Sequence, residues 1–239
     1  MTYQLIAHRG YSAVAPENTL ASFRAALEKP ILGVEFDVHL TADGVPVIIH
    51  DGTVDRTTND EGKVEEKTIA QLRTLDAGSW FHPQFAEEKI PTLEEVLALF
   101  SETAVHLYIE AKSPQNWSEQ GIQNLIQLID SWRDRCTLAS FNHHFITEIK
   151  RNSPQLKIGY GLSNANQYSF NYLETLEGEK IVLFPHFSLI LEQPELTRKL
   201  LDRDLEIITW TVDDINIAKK LADLNILKII TNNLLVISH

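Results

Sequence analysis

Gly33-Val-Glu-Phe-Asp-Val-His-Leu-Thr-Ala-Asp-Gly-Val-Pro-Val-Ile-Ile-His-Asp51 is the stretch on which the fold turns. Its two apolar runs, 33–38 and 45–50, read as strands. Between them Thr41-Ala-Asp-Gly44 is a turn signal, too short to hold the crossover helix that parallel neighbours need. Outside this stretch, apolar runs at 3–7, 106–111, 137–141, 157–161, 180–184, 206–212 and 227–231 alternate with amphipathic helical patterns. Those patterns lie at 18–27, 92–100, 118–132, 144–151, 194–202 and 215–224. Such alternation predicts β-α units and a parallel sheet. The 239 residues suit an α/β fold of the TIM type, a (β/α)8 barrel, which takes roughly 200–250 residues as one unit. No linker rich in Pro, Gly or Ser divides the chain, so one domain over 1–239 is expected.

Nine strand runs are one too many for eight staves, and the surplus lies in the opening stretch. If its two runs pair antiparallel about the turn, Glu35 falls nearly opposite His50. If they are consecutive staves, the link between them must be stretched. Either arrangement brings the two residues to one rim. Residues 52–90 are the second irregularity, longer than an ordinary loop and carrying one short helical pattern at 68–75. They are expected to form a small insertion after the His50-Asp51 strand, at the barrel mouth.

Composition narrows the class. Lys and Arg number 21 against 33 Asp and Glu, a formal net charge of −12. Nucleic-acid binding needs clustered positive charge, so it is not expected. Cys136 is the only cysteine, which excludes an internal disulfide and a Cys-rich zinc site. The first residues lack the pattern of a signal peptide, and no apolar run approaches the roughly 20 residues of a membrane span. A soluble, cytoplasmic protein without stable membrane association is expected. A homo-oligomer is left open.

Polar residues gather where the predicted strands end, which is where barrel active sites lie. Glu35, Asp37 and Glu110 are oxygen ligands from two strands and suit a hard divalent metal, Mg2+ or Ca2+. Without a cation they would repel one another. His8 and His50 can supply one base and one acid near neutral pH. Arg9 and Lys112 add fixed positive charge, and Trp210 stands at a late strand end where it can touch a substrate. Glu17 and Asn18 beside strand one, and Asp51 beside His50, are read as orienting residues, with Asn18 or Thr19 capping the first helix. Together these groups suit displacement at a phosphorus centre. Taken singly, each has a bland reading: Glu-x-Asp on a strand is more often a solvated face, and His-Asp after an apolar run is often a turn. His39 is expected to be exposed, with support of a neighbouring site residue as the alternative, and His82, His106, His143 and His144 to sit on surfaces or caps.

The set His8-Arg9-Gly10, Glu17-Asn18-Thr19, Glu35-x-Asp37, Asp43-Gly44-x-Pro46-Val47, His50-Asp51, Arg56-Thr57, Leu75-Asp76-Ala77-Gly78, Pro91-Thr92-Leu93, Glu110-x-Lys112 and Trp210-Thr211-Val212 resembles the glycerophosphodiester phosphodiesterase family. The resemblance runs in order along nearly the whole chain. It implies a TIM-type barrel with a small insertion, and metal-dependent hydrolysis of a small glycerophosphodiester to sn-glycerol 3-phosphate and an alcohol. By the same resemblance Glu35, Asp37 and Glu110 would hold the metal, His8 and His50 would be the acid–base pair, and Arg9 and Lys112 would meet the phosphate. One departure is visible: the family's last strand commonly ends in Thr-Asp, and this chain has Thr231-Asn232-Asn233. Two other functions stay open at this point. Lysophospholipids could be the substrate if Leu75, Trp80, Phe81 and Phe85 formed an exposed apolar rim. A non-catalytic barrel that binds phosphodiesters is the third reading.

Overall fold

The computed structural model describes residues 2–178, 181–203 and 205–237. Its strands are β1 (Gln4–His8), β2 (Gly33–Leu40), β3 (Pro46–Ile48), β4 (His106–Ala111), β5 (Cys136–Ser140), β6 (Ile158–Leu162), β7 (Val182–Pro185), β8 (Glu206–Ile207) and β9 (Lys228–Thr231). Lys180, where the sequence starts the seventh run, lies outside the described residues. Eight strands pair in the order β8-β7-β6-β5-β4-β2-β1-β9, and β3 attaches to β2 alone. The eight run parallel. A parallel bridge between Thr209 and Ile229 joins the two ends, so the sheet closes into a TIM-type barrel. The predicted eighth run, 206–212, is regular strand only at Glu206–Ile207 and continues as bridges at Thr209 and Trp210.

The surplus strand is β3. Its antiparallel register, Val38↔Ile48, His39↔Val47 and Leu40↔Pro46, uses only the far end of β2. The near end stays paired with β4 from Gly33 to Val38. Thr41 N–H donates to the Val45 carbonyl across the turn, and Gly44 supplies its left-handed residue at φ 74°. Continuing the register sets His50 level with Phe36, one residue from Glu35, the near-opposition expected of antiparallel pairing.

Ten α-helices are described: α1 (Leu20–Leu27), α2 (Ile69–Leu72), α3 (Leu93–Phe100), α4 (Glu119–Asp130), α5 (His143–Asn152), α6 (Phe170–Leu173), α7 (Phe187–Glu192), α8 (Pro194–Leu201), α9 (Ile215–Asp223) and α10 (Leu234–Ile237). Helix α3 opens with the capping box legible at Thr92-Leu-Glu-Glu95, Thr92 and Glu95 each accepting the other's backbone N–H. A cap of this kind contributes about 1 kcal/mol. Helices α6, α7 and α10 have no counterpart in the sequence reading, because four to six residues are too few to show an apolar stripe.

Strand alternation sorts the side chains into two layers. Ile6, Tyr108, Ala139, Val182, Phe184, Ile208 and Ile230 fill the barrel interior. Residues of the opposite parity, such as Leu5, Ala7, Val34 and Phe36, pack outward against the helices, where Phe23 stacks edge-on with Phe36 and Phe100. Because Ile6 points inward, His8 does too, and the same parity carries Glu35, Asp37, Glu110 and Lys112 to the inner rim. The insertion has a small core of its own, Val54, Val64, Leu72, Leu75, Ala77 and Ile90, seated on Val47 and Ile49. Helix α2 lies within its predicted helical pattern.

Candidate active site

Register builds the acidic cluster. Cα partners across the ladders are His8↔Glu35 and Asp37↔Glu110, so neighbouring strands present these side chains on one side of the wall. One oxygen from each of Glu35, Asp37 and Glu110 lies within 4.8 Å of the others. Glu35 and Asp37 are buried, and Glu110 is half-buried. Burial, then Asp37 and Glu110, pushes the Glu35 carboxyl well above its usual value. Burial raises Glu110 to about 7 despite Lys112. Burial also opposes ionisation of Asp37, but Lys112 and Arg9 outweigh it and hold that carboxyl below the usual range. Asp37 Oδ1 is buried without a hydrogen-bond donor, its nearest charge being Lys112 Nζ at 3.1 Å. Three hard oxygen donors, one of them unsatisfied, fit a divalent cation.

The cations are held in place by carboxylates. Arg9 Nη1 donates to Glu17 Oε1 at 2.8 Å and Arg9 Nε stands 3.2 Å from Asp37 Oδ2. Lys112 Nζ reaches Glu110 Oε1 at 2.6 Å. Arg9 takes a left-handed backbone, φ 56°, followed by Gly10 at φ 80°. That conformation costs a side-chain-bearing residue roughly 1–2 kcal/mol. Arg9 N–H donates to the Glu35 carbonyl and Asn18 N–H to the Arg9 carbonyl, which fixes it. Gly10 cannot be replaced without a clash, because a Cβ there would sit 2.3 Å from Ser22 Oγ.

The orienting residues divide their work. Thr19, not Asn18, caps α1 by accepting from Ser22 N–H. Asn18 turns inward and donates to Asp37 Oδ2 at 2.8 Å. Asp51 Oδ1 accepts from His50 Nδ1 at 2.6 Å, which leaves His50 Nε2 toward the cavity. Arg56 of the insertion spans both groups: Nε donates to Asp51 Oδ2 at 2.7 Å, and Nη1 and Nη2 donate to the two Glu17 oxygens at 2.9 and 2.8 Å. Hydrogen bonding from Arg56 pulls Asp51 down to about 2.

His8 Nδ1 lies 2.7 Å from Asn232 Oδ1. An amide oxygen can only accept, so Nδ1 carries the proton and the Nε2 lone pair faces the site, 3.8 Å from Glu35 Oε2. Burial, then the Arg9 charge, lowers His8 to about 4. Asn232 also accepts from the Ser12 hydroxyl and donates through Nδ2 to Asp213 Oδ2. Neither Asn232 nor Asp213 was singled out from sequence as a site residue. The signals were Asn232's place at the end of the last strand and its departure from the family's Thr-Asp.

Three histidines differ from expectation or refine it. His39 is buried, not exposed, and its Nε2 bonds the His50 carbonyl at 3.1 Å, because β3 folds back over it. His106 is a half-buried strand residue on the Tyr108 ring, bonded to Thr137 Oγ1. His143 is half-buried between Tyr172 Oη and the Gly161 carbonyl. His82 caps a short 3-10 turn and His144 is exposed, both as expected.

His8, Arg9, Glu35, His50, Glu110, Lys112 and Trp210 line one cavity of about 240 Å³. Tyr108, Phe184 and Ile230 close its floor. Trp210 is fixed by its indole N–H to the Phe184 carbonyl and stacks edge-on with Phe141. Asp37 lies just outside this lining, beneath Arg9 and Lys112. In the insertion Leu75 is buried, Phe81 and Phe85 stack on each other, and Trp80 alone of the four is exposed, so no continuous apolar rim forms. Among the described residues no helix is long and apolar enough to cross a membrane.

Residues 8–236 match the model of the glycerophosphoryl diester phosphodiesterase family. A glycerophosphodiester phosphodiesterase of Caldanaerobacter subterraneus subsp. tengcongensis is 39% identical over 215 residues, 87% of this chain and 85% of the relative. The structure of an Oleispira antarctica phosphodiesterase, in complex with the product sn-glycerol-3-phosphate, superposes with a TM-score of 0.89 at 30% identity, covering 99% of this chain and 95% of that one. A glycerophosphodiester phosphodiesterase from Agrobacterium tumefaciens matches with a TM-score of 0.83 at 26% identity, covering 100% and 99%.

Proposed function

The chain belongs to the glycerophosphoryl diester phosphodiesterase family, and from that premise we propose that it hydrolyses small glycerophosphodiesters to sn-glycerol 3-phosphate and an alcohol. The whole chain, insertion included, acts as one catalytic unit in this reading. The observation that carries it is the meeting of two oriented histidines, two cations and a three-carboxylate cluster at one rim.

Glu35, Asp37 and Glu110 would hold the divalent cation, Mg2+ or Ca2+. When bound, such a cation supplies Lewis acidity and charge neutralisation at the phosphoryl oxygens. Arg9 and Lys112 would bind those oxygens and turn the phosphorus toward the histidines. His8, protonated on Nδ1 and neutral, offers Nε2 to take the proton of the attacking hydroxyl, from water or from the substrate's own glycerol, in which case water then opens the resulting cyclic phosphate to glycerol 3-phosphate. His50 is backed by the Asp51 carboxylate, which stabilises an imidazolium better than the Asn232 amide can, so His50 would deliver the proton to the departing alkoxide. Trp210 packs against the glycerol carbons.

The test is release of glycerol 3-phosphate from a panel of glycerophosphodiesters by purified protein supplied with Mg2+ or Ca2+. Turnover should vanish with EDTA and return with added metal. Replacing His8 or His50 by Ala should lower kcat by at least about 10²-fold. A metal-supplied protein that releases nothing from any of these esters refutes the reading.

A further inference from the structure

A second, wider hollow of about 580 Å³ opens from the same rim and shares Glu110, Lys112, Ser140 and Phe141 with the inner cavity. Beyond that shared edge it is lined by Ser113, Gln115, Asn142, His143, Gln167 and Tyr172. Lys112 stands at the shared edge and Arg9 in the inner cavity, so a phosphate held between them directs one ester arm into each space. The inner cavity, at about 240 Å³ and walled by the barrel, suits the invariant glycerol arm. The outer hollow suits the variable one.

Its lining is neutral. Apart from Glu110, which belongs to the acidic cluster, no carboxylate among the described residues faces it. The unused groups are hydrogen-bonding ones. Gln167 accepts through Oε1 from Ser163 and Asn164, and Asn142 accepts from Phe145 N–H, so both amide NH2 groups remain without a protein acceptor among the described residues. His143 donates from Nε2 to the Gly161 carbonyl at 2.6 Å, and its Nδ1 therefore accepts the Tyr172 hydroxyl proton at 2.5 Å. The Tyr172 oxygen is left as a fixed acceptor. A quaternary or primary ammonium group would instead need a carboxylate or an aromatic cage. The Phe141 ring already carries Lys112 Nζ 6.0 Å from its centroid, and that same Lys112 charge repels a second cation.

We propose that this hollow, lined by Gln167, Tyr172, Asn142 and Gln115, is the leaving-alcohol subsite and that it selects a neutral polyhydroxy alcohol over choline or ethanolamine. The proposal rests on the phosphodiesterase reading. Half-buried amide and phenol groups that need hydrogen-bonding partners disfavour a ligand that cannot supply them. His143 acts as a positioning residue for Tyr172.

The experiment compares kcat/KM of the metal-supplied full chain for glycerophosphoglycerol, glycerophosphoinositol, glycerophosphocholine and glycerophosphoethanolamine. At least one polyol ester should exceed both cationic esters by about 10-fold or more. Tyr172→Phe and Gln167→Leu should each lower kcat/KM for the polyol ester about 10-fold with the choline ester nearly unchanged. Gln115→Glu should raise the choline ester relative to the polyol ester. Because Gln167 also ties down the loop at Ser163, a thermal melt accompanies that variant, and Tyr172→Phe stands as the independent one. Equal or better turnover of the choline ester, or a uniform loss on all esters in Tyr172→Phe, overturns the subsite. No turnover of any ester refutes the phosphodiesterase reading instead.

Discussion

Asn232 holds three partners at once: it accepts from His8 and Ser12 and donates to Asp213. The His8 ring is thereby fixed in one tautomer, with the lone pair on the nitrogen facing the site. Asn232→Ala frees that ring, so kcat should fall by about 10-fold or more with KM little changed, read from steady-state kinetics. His8, Glu35, Asp37, Glu110 and Lys112 were legible because strand parity is enough to put them on one face. His39 shares that parity and was still misjudged, since its burial depends on β3 folding back across it, a contact no local pattern encodes. The division between Asn18 and Thr19 was hidden for a similar reason. Both are good caps, and only the nearness of Asp37 draws Asn18 inward.

Among the elements, the insertion does most to set His50. It leaves the barrel beyond β3, builds its own small core, and returns Arg56 to clamp Asp51 and Glu17 together. One guanidinium thus links the carboxylate behind His50 to the carboxylate behind Arg9. Arg56→Met should reduce kcat/KM by about 10-fold, while the melting temperature moves by only a few degrees because the side chain is largely exposed. Enzyme assay beside calorimetry separates the two effects, and a collapse of stability would show a structural role instead. The insertion itself could be read from its length and helical pattern, whereas the four-residue turn left the antiparallel hairpin as one of two arrangements, and the structure chooses it. The near-opposition of Glu35 and His50 expected of that pairing holds to within one residue.

On the scale of the whole molecule, the eight-stave count follows from the β-α rhythm once β3 is set aside. Closure does not, because it hangs on the isolated bridge from Thr209 to Ile229, in a run with only two regular strand residues. At the opposite end of the barrel, burial and then the Lys157 charge hold His106 down at about 4. The unfolded chain takes up that proton near pH 6.5, earlier than the folded one. His106 therefore adds stability that is complete above about pH 6.5 and lost as the pH falls toward 4, on the order of 1–2 kcal/mol after solvent screening. Urea unfolding across that window should show the slope, and His106→Gln should flatten it.

The charge of −12 says little until it is resolved by place. At the mouth the carboxylates of Glu17, Glu35, Asp37, Asp51 and Glu110 face only three fixed cations, Arg9, Arg56 and Lys112. Each of those cations is already spent on a carboxylate, so with all five carboxylates ionised the rim would be two charges negative, and without a metal Glu35 and Glu110 hold protons instead. An anionic ester meets no attractive field there until a divalent ion takes the place of those protons. Cation and phosphate ligand are then thermodynamically linked: each must tighten the other by one common factor, typically 5- to 150-fold. Calorimetric titration of Mg2+ with and without sn-glycerol 3-phosphate, and the converse pair, should return that same factor from both directions. The protein would then hold its cation more firmly when product or substrate is abundant.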